Sequence, residues 1–301
     1  MAGEYRSGFA GLIGRPNAGK STLLNRLVGR KIAIMSDKPQ TTRNKILGVL
    51  TTDACQIIFL DTPGIHKPRH QLGEYMVAVA RSTLAEVDVV LYVVDAAAVP
   101  GTGEEYIIAQ LKEVATPVIL VLNKIDLVDA ATLANRVEFF RNRLQFLAVQ
   151  EVSALAGTNV DTLLDVISRQ LPPGPQYYPP DMVTDRPEKF IIAELIREQV
   201  LQVTREEIPH AVAVVVADIT PRPNGYLYIE AVIYIERDSQ KGIIIGEGGQ
   251  RLKEIGSQSR REIEALLGSK TFLDLRVRVK QNWRRQEPAL RQLGYDRRLI
   301  Q

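Results

Sequence analysis

The sequence predicts an α/β domain with a mostly parallel sheet flanked by helices, followed by a smaller α+β domain. Three observations predict it. From Phe9 to about Leu171, runs rich in Val, Ile and Leu alternate with helical patterns, as strands buried on both faces between crossover helices do. Leu171-Pro-Pro-Gly-Pro-Gln-Tyr-Tyr-Pro-Pro180 then carries five prolines in ten residues, a density that neither helix nor sheet survives, and reads as a stiff extended linker. Beyond it the order becomes helix, strand, strand, helix, helix, strand. The expected units are residues 1–171, a linker over 172–186, and 187–301; a chain of 301 residues is long enough for two such cores.

The elements follow in order. Phe9-Ala-Gly-Leu-Ile13 is a buried strand, and Ser21 to Val28 is a helix with Leu23, Leu24 and Leu27 on one side. Between them stands Gly14-Arg15-Pro16-Asn17-Ala18-Gly19-Lys20-Ser21, a full match to GxxxxGK[ST]. A glycine-rich turn from strand to helix aims successive N–H groups at one oxyanion, and the helix dipole adds positive potential there. Lys20 would reach the outer phosphates of a nucleotide and the Ser21 hydroxyl would hold magnesium. Further strands are expected at Gln56–Leu60, Val87–Val94 and Pro117–Leu122, with a short run at Val149–Val152. Helices are expected at Glu104–Val114 and Ala131–Leu144. In the second half, a helix from Pro187 to Val203 precedes Ala211–Ile219 and Tyr226–Ile235, which the turn Pro221-Arg-Pro-Asn-Gly225 joins into an antiparallel hairpin. A helix over Gln250–Leu267 and a strand over Phe272–Val279 complete the chain.

Two strand ends would select the nucleotide. The strand Ile57-Ile-Phe-Leu60 ends in Asp61-Thr62-Pro63-Gly64, where the carboxylate can hold magnesium, directly or through water, and the Gly64 N–H can meet a terminal phosphate. A later strand ends in Asn123-Lys124-Ile125-Asp126. A carboxylate there can accept both N1–H and N2–H of guanine, which adenine cannot offer. Lys124 would lie over the base, and the Ser153 and Ala154 N–H groups would meet the guanine oxygen. Alone, each of these is an ordinary turn or helix cap; in register after a phosphate-binding loop they form one set.

Bulk properties narrow the class. The net charge is +3, too small to imply nucleic acid by itself, but Lys241–Arg261 holds five Lys or Arg against two Glu, and Arg276–Arg298 holds eight against two acids. The single cysteine, Cys55, excludes an internal disulfide and fits a reducing compartment as a small buried thiol. The N-terminal residues lack the apolar core of a signal peptide, and no apolar run approaches the roughly 20 residues of a membrane span. The expectation is a cytoplasmic soluble protein and a monomer.

The nucleotide segments resemble the G motifs of the translation-factor-related small GTPases. The resemblance implies that Thr41-Thr42-Arg43 is the switch I segment and that Thr42, with Thr41 the alternative, joins Ser21 and Asp61 around Mg2+. Lys20, Thr42 and Gly64 are then the expected catalytic residues for GTP hydrolysis to GDP. Ile65 stands where Ras-like enzymes place a water-orienting glutamine, so turnover without an activator should be slow, on the order of 10⁻⁴ to 10⁻² per second. Asn17 resembles the asparagine that holds potassium in several GTPases lacking that glutamine, which adds K+ as an expected cofactor. His66 and His70 could pair on a metal, or His66 act as a base, but no third ligand stands nearby.

Gly246-Glu247-Gly248-Gly249, after Ile243-Ile-Ile245 and before Arg251-Leu-Lys253, resembles the GxxG loop of a type II KH domain. Such a loop lets an RNA backbone approach closely at a helix N-terminus. Glu247 and Gly248 stand where relatives often carry a basic residue, which puts more weight on Arg251, Lys253 and the tail around Trp283-Arg-Arg285. That tail is either a phosphate contact or a solvated helix face with Trp283 closing a core. GTPase domain, linker and type II KH domain in this order resemble the Era family across nearly the whole chain. The resemblance implies a P-loop GTPase that binds small-subunit ribosomal RNA near its 3′ end and docks on the maturing small ribosomal subunit. It also implies peripheral association with the inner face of the cell membrane, for which the sequence itself offers nothing. Two other readings are an RNA-modifying P-loop enzyme, for which no further catalytic constellation is present, and a KH module whose nucleotide domain is mainly structural.

Overall fold

The computed structural model describes residues 4–298 apart from 39, 66, 67, 69, 224 and 297. The first domain runs β1 (Arg6–Ile13), α1 (Lys20–Val28), β2 (Ile46–Thr51), β3 (Cys55–Asp61), α2 (Gln71–Glu86), β4 (Val89–Asp95), α3 (Thr102–Leu111), β5 (Val118–Asn123), α4 (Ala130–Arg141), β6 (Ala148–Val152) and α5 (Val160–Gln170). The second runs α6 (Glu188–Val203), α7 (Ile208–Ala211), β7 (Ala213–Pro221), β8 (Leu227–Ile235), α8 (Asp238–Ile245), α9 (Gln250–Leu267), β9 (Thr271–Val279) and α10 (Glu287–Gln292).

The six-stranded sheet has the order β2-β3-β1-β4-β5-β6. Its strands are parallel except β2, which is antiparallel to β3. Thr52 to Ala54 are too few residues for a crossover, so β2 and β3 can only form a hairpin. β3, β4 and β5 are buried almost throughout, which is why their sequences read as continuous apolar runs. Register brings the carboxyl ends together. Leu12 lies beside Asp61, Asp95 beside Asn123, and Asn123 beside Val152, so the loops that follow share one edge, where ligands of such sheets gather.

In the second domain the sheet order is β7-β8-β9, with β7 antiparallel and β9 parallel to β8. One face packs on α6, α8 and α9 through Ile196, Ile233, Ile244, Ile255 and Ile263. The sequence suggests an amphipathic α6, yet even Arg197, Glu198 and Gln199 on it are buried. They meet polar groups of neighbouring elements: Thr41 O, Met35 N and Glu262.

The proline-rich segment is extended, and it is fastened to the first domain rather than spanning free space. Ser7 N donates to Pro172 O, and Gly174 N donates to Tyr5 O. Gln56, fully buried on β3, accepts from Tyr177 N and Tyr178 N and donates to Tyr178 O. Val49 N donates to Val183 O, so the chain covers the free edge of β2, whose backbone groups would otherwise lie open. Cys55 is buried as expected. Among the described residues no helix is long and apolar enough to cross a membrane.

The two domains share a core. Leu72, Tyr75, Met76 and Val79 of α2 pack with Ala213, Trp283, Ala289, Leu290, Leu293 and Tyr295. Trp283 therefore closes a core rather than facing solvent; its indole N–H donates to Ala211 O at 2.9 Å and its ring stacks on Tyr295. Arg284 is paired with Glu236. Trp283→Ala should cost about 3–5 kcal/mol of stability, read from urea unfolding followed by circular dichroism.

Candidate nucleotide and RNA sites

The loop from Gly14 to Ser21 is shaped by two left-handed residues, Asn17 at φ 66° and Gly19 at φ 89°. A Cβ on Gly19 would lie 2.2 Å from Asn123 Nδ2, and one on Gly14 would lie 2.2 Å from Val93 O. Close approach thus requires glycine at both positions, and at Gly19 the left-handed conformation favours it as well. The buried Lys20 ammonium donates to Gly14 O at 3.2 Å and Arg15 O at 2.9 Å. Burial pulls its pKa below that of free lysine, against the opposing charges of Asp61 and Glu104; bound phosphates would push it back up. The Arg15 guanidinium turns to Glu104 on α3.

Three oxygens meet beneath the loop. Ser21 Oγ lies 2.7 Å from both Thr42 Oγ1 and Asp61 Oδ2, and Thr42 Oγ1 lies 3.3 Å from Asp61 Oδ2. Asp61 is fully buried, its Oδ1 has no hydrogen-bond partner, and burial raises its pKa. Two hydroxyls and a buried carboxylate are a donor set of the hard oxygen kind that suits magnesium, which when bound would neutralise charge on the transferring phosphoryl group. Thr41 turns away, its hydroxyl donating to Lys38 O. Beside this cluster lies a cleft of about 490 Å³, running from Pro16 and Gly64 past Lys20 and Thr42 to Lys124 and Leu155. A Cβ on Gly64 would lie 2.4 Å from Pro16 N, so only glycine lets this turn close on the phosphate loop.

Several expected residues sit differently. Ile65 does not line the cleft; its side chain is buried in the apolar layer on one face of the sheet and its N–H donates to Gly14 O. Thr62 is buried with its hydroxyl on Leu12 O, so it and Pro63 serve to shape the turn. Asn123 is a clamp. Its Nδ2 donates to Ala18 O at 3.0 Å and its Oδ1 accepts from Ala154 N at 2.9 Å. Ser153 N donates to Thr158 O. The two N–H groups expected to meet the guanine oxygen are therefore already engaged within the protein, because the β5–β6 register sets Asn123 against this loop. Lys124, at φ 66°, is held over the cleft by a 2.6 Å ion pair with Asp95, a carboxylate that the sequence reading missed. Ile125 and Asp126 lie on a short 3-10 turn. Asp126 is exposed and has no internal partner among the described residues, so its carboxylate is available to a base.

His70 caps α2, its Nδ1 accepting from Gly73 N at 3.1 Å. His66 lies outside the described residues, among which no group of His, Cys, Asp and Glu could hold a metal.

In the second domain, α8 ends at Ile245. Gly246, Gly248 and Gly249 then take φ of 73°, 56° and 79° before α9 begins. Three of the four residues of the turn thus take the left-handed half of backbone space that glycine enters freely, and Glu247 stands between them. Glu247 and Lys253 are exposed, and Arg251 is spent partly on Ile243 O. Ile243, 42% exposed, and Arg251 border a shallow groove with Thr204 and Ile208.

The geometry of Asp126 makes a direct prediction. Asp126→Asn replaces an acceptor pair with one acceptor and one donor, and should lower GTP affinity by about 100-fold or more while raising affinity for xanthosine triphosphate. Competition binding with the two nucleotides reads this.

Comparison with known proteins gives the same picture. The family described as 50S ribosome-binding GTPase matches residues 9–124, and the family described as KH domain matches residues 207–284. A crystal structure of Aquifex aeolicus Era, a tyrosine-to-alanine variant bound to GDP and AlF4−, is 40% identical with a TM-score of 0.93, covering 97% of this chain and 99% of that one. A structure of Era in complex with MgGDPNP and nucleotides 1506–1542 of 16S ribosomal RNA is 40% identical with a TM-score of 0.92 over the same shares. The chain belongs to the Era family of GTPases.

Proposed function

We propose that this protein is a slow, magnesium-dependent GTPase switch whose KH domain binds small-subunit ribosomal RNA near its 3′ end during assembly of that subunit. The carrying observation is the adjacency of Thr42 and Arg43. Thr42 stands among the magnesium-binding oxygens, and the next residue is buried in the second domain. Arg43 donates to Val212 O at 2.6 Å and to Pro209 O at 3.0 Å, and its guanidinium lies 5.7 Å from the Trp283 ring. A change in switch I therefore cannot be confined to the nucleotide cleft.

Binding of the 16S fragment by Era, together with the glycine loop of this chain, supports RNA as the second ligand. The 16S molecule supports the small subunit, although the family matching the first domain is described by the large one. Docking on the subunit, a monomeric state, and a cytoplasmic location with peripheral contact at the inner membrane face are supported by family membership alone.

Slow turnover follows from Ile65, whose buried side chain cannot orient water. The attacking water is then positioned by backbone groups, with Lys20 balancing the charge of the outer phosphates. Potassium is supported by Asn17, whose amide donates to Asp37 O at 2.6 Å. Two oxygen-bearing groups thus stand together at the mouth of the cleft, a suitable start for a monovalent cation.

RNA affinity should differ by about fivefold or more between the GDP-bound protein and the protein with a non-hydrolysable GTP analogue; equal affinities by fluorescence anisotropy would refute the switch. Phosphate release should run on the order of 10⁻⁴ to 10⁻² per second and faster in potassium than in sodium buffer; equal rates in the two salts would remove potassium from the mechanism.

A further inference from the structure

The outer face of the C-terminal sheet, turned away from α6, α8 and α9, carries a column of flat groups that the nucleotide and glycine-loop sites do not use. Ile229, Ile233, Leu273 and Leu275 enter the core, so their alternate neighbours Tyr228 and Phe272 face the other way. Register sets these two directly opposite each other on β8 and β9. Their rings are stacked, with centroids 5.7 Å apart and planes 9° from parallel. The Arg222 guanidinium lies over the Tyr228 ring, 4.8 Å from its centroid. β9 is the last strand of its sheet, so no further strand of that sheet lies beyond Phe272. Phe272 is 61% exposed, and no other described ring or guanidinium covers it.

The surrounding charge selects the class of ligand. Arg276, on the same face of β9, is held by Glu230 and Asp274 at 2.9 Å each. Arg222 and Arg278 have no carboxylate partner among the described residues, so the face keeps positive charge free for an anion. A planar stack with an open end, Arg222 at the stack and Arg278 six residues further along the same face of β9 match the flat face of an unpaired base and the phosphates of a strand that continues from it.

We propose that the Tyr228–Phe272 edge is a second contact for single-stranded RNA, in which an unpaired base continues the stack on Phe272 while Arg222 and Arg278 meet the backbone. The proposal rests on the reading that this protein binds RNA, but places the contact away from the glycine loop. α9 separates the two, with the loop at its start and Phe272 five residues beyond its end, a distance of roughly 27 Å along an 18-residue helix.

The test uses the full-length protein and two single-stranded RNAs carrying the same 16S 3′-terminal sequence. One has about four to six nucleotides, enough for a KH groove only; the other has about twenty. Phe272→Ala should weaken binding of the long RNA about tenfold and leave the short one unchanged. Phe272→Trp should restore the long-RNA affinity, since it restores a stacking face. Because Phe272 is exposed, the thermal midpoint should not move. Native affinity of Phe272→Ala for the long RNA, or equal losses on both RNAs, would overturn the platform. Failure of the unaltered protein to bind either RNA would instead overturn the RNA-binding reading itself.

Discussion

The relation between the two domains hangs on the buried guanidinium of Arg43. An ionised group only 1% exposed and without a carboxylate partner among the described residues would ordinarily be expelled or neutralised. Burial does pull its pKa down. What retains it is a set of weaker partners: the carbonyls of Val212, Pro209 and His210, the hydroxyl of Tyr295, and the faces of Trp283 and Tyr295. Only arginine can serve several carbonyls and two rings at once, since its planar group donates in several directions and stacks. The short helix α7 ends among those carbonyls, so the negative end of its dipole helps as well.

The same logic of shared groups governs the nucleotide edge. The strands place Asp61, Asp95 and Asn123 at their carboxyl ends, and each is then used to tie one loop to another. Asn123 joins the phosphate loop to the loop after β6, Asp95 holds Lys124, and Asp61 joins α1 to switch I through Ser21 and Thr42. These ties cross-link the loops that line the cleft, and loops held in this way leave less ordering to oppose binding. Ile65 shows the other side of this economy: its burial beside the phosphate loop stabilises the turn after β3 and removes the position from which a side chain could direct water.

The phosphate loop, the Asp61 turn, the Asn123–Asp126 segment and the glycine loop were legible in the sequence because each is a local solution. The residues that need a special backbone are contiguous with those expected to meet the ligand. Arg43, Gln56, Arg197 and Trp283 were not legible in this way. Their roles depend on partners more than a hundred residues away, such as Tyr178 for Gln56 and Thr41 for Arg197, and no spacing along the chain records such a contact. β2 escaped notice for a related reason: Gly48 interrupts its apolar pattern, and a Cβ there would lie 2.8 Å from Ile32 and 2.9 Å from Leu24. The composition of the proline-rich segment says nothing of the strand edge that it covers. Asn123 was legible as a residue but not as a tie between loops, because only the β5–β6 register sets it against Ala154 N–H.

These long-range contacts tie the segment beside the nucleotide cleft to the helices of the second domain. Thr41 O accepts from Arg197 on α6, Met35 N donates to Glu198 on α6, and Lys31 bridges Glu198 to Glu262 on α9. α9 begins at the glycine loop. Any rearrangement of residues 31–43 on nucleotide exchange must break or rebuild contacts with both helices, so it changes the free energy of the second domain. Coupling of this kind is reciprocal: whatever factor the nucleotide imposes on RNA affinity, RNA must impose on nucleotide affinity. With no side chain at position 65 to direct water, the hydrolysis rate depends on how well the magnesium-side threonine and the backbone of the Asp61 turn are held. Arg43, one residue from Thr42, is the contact through which a partner bound by the second domain would reach that threonine.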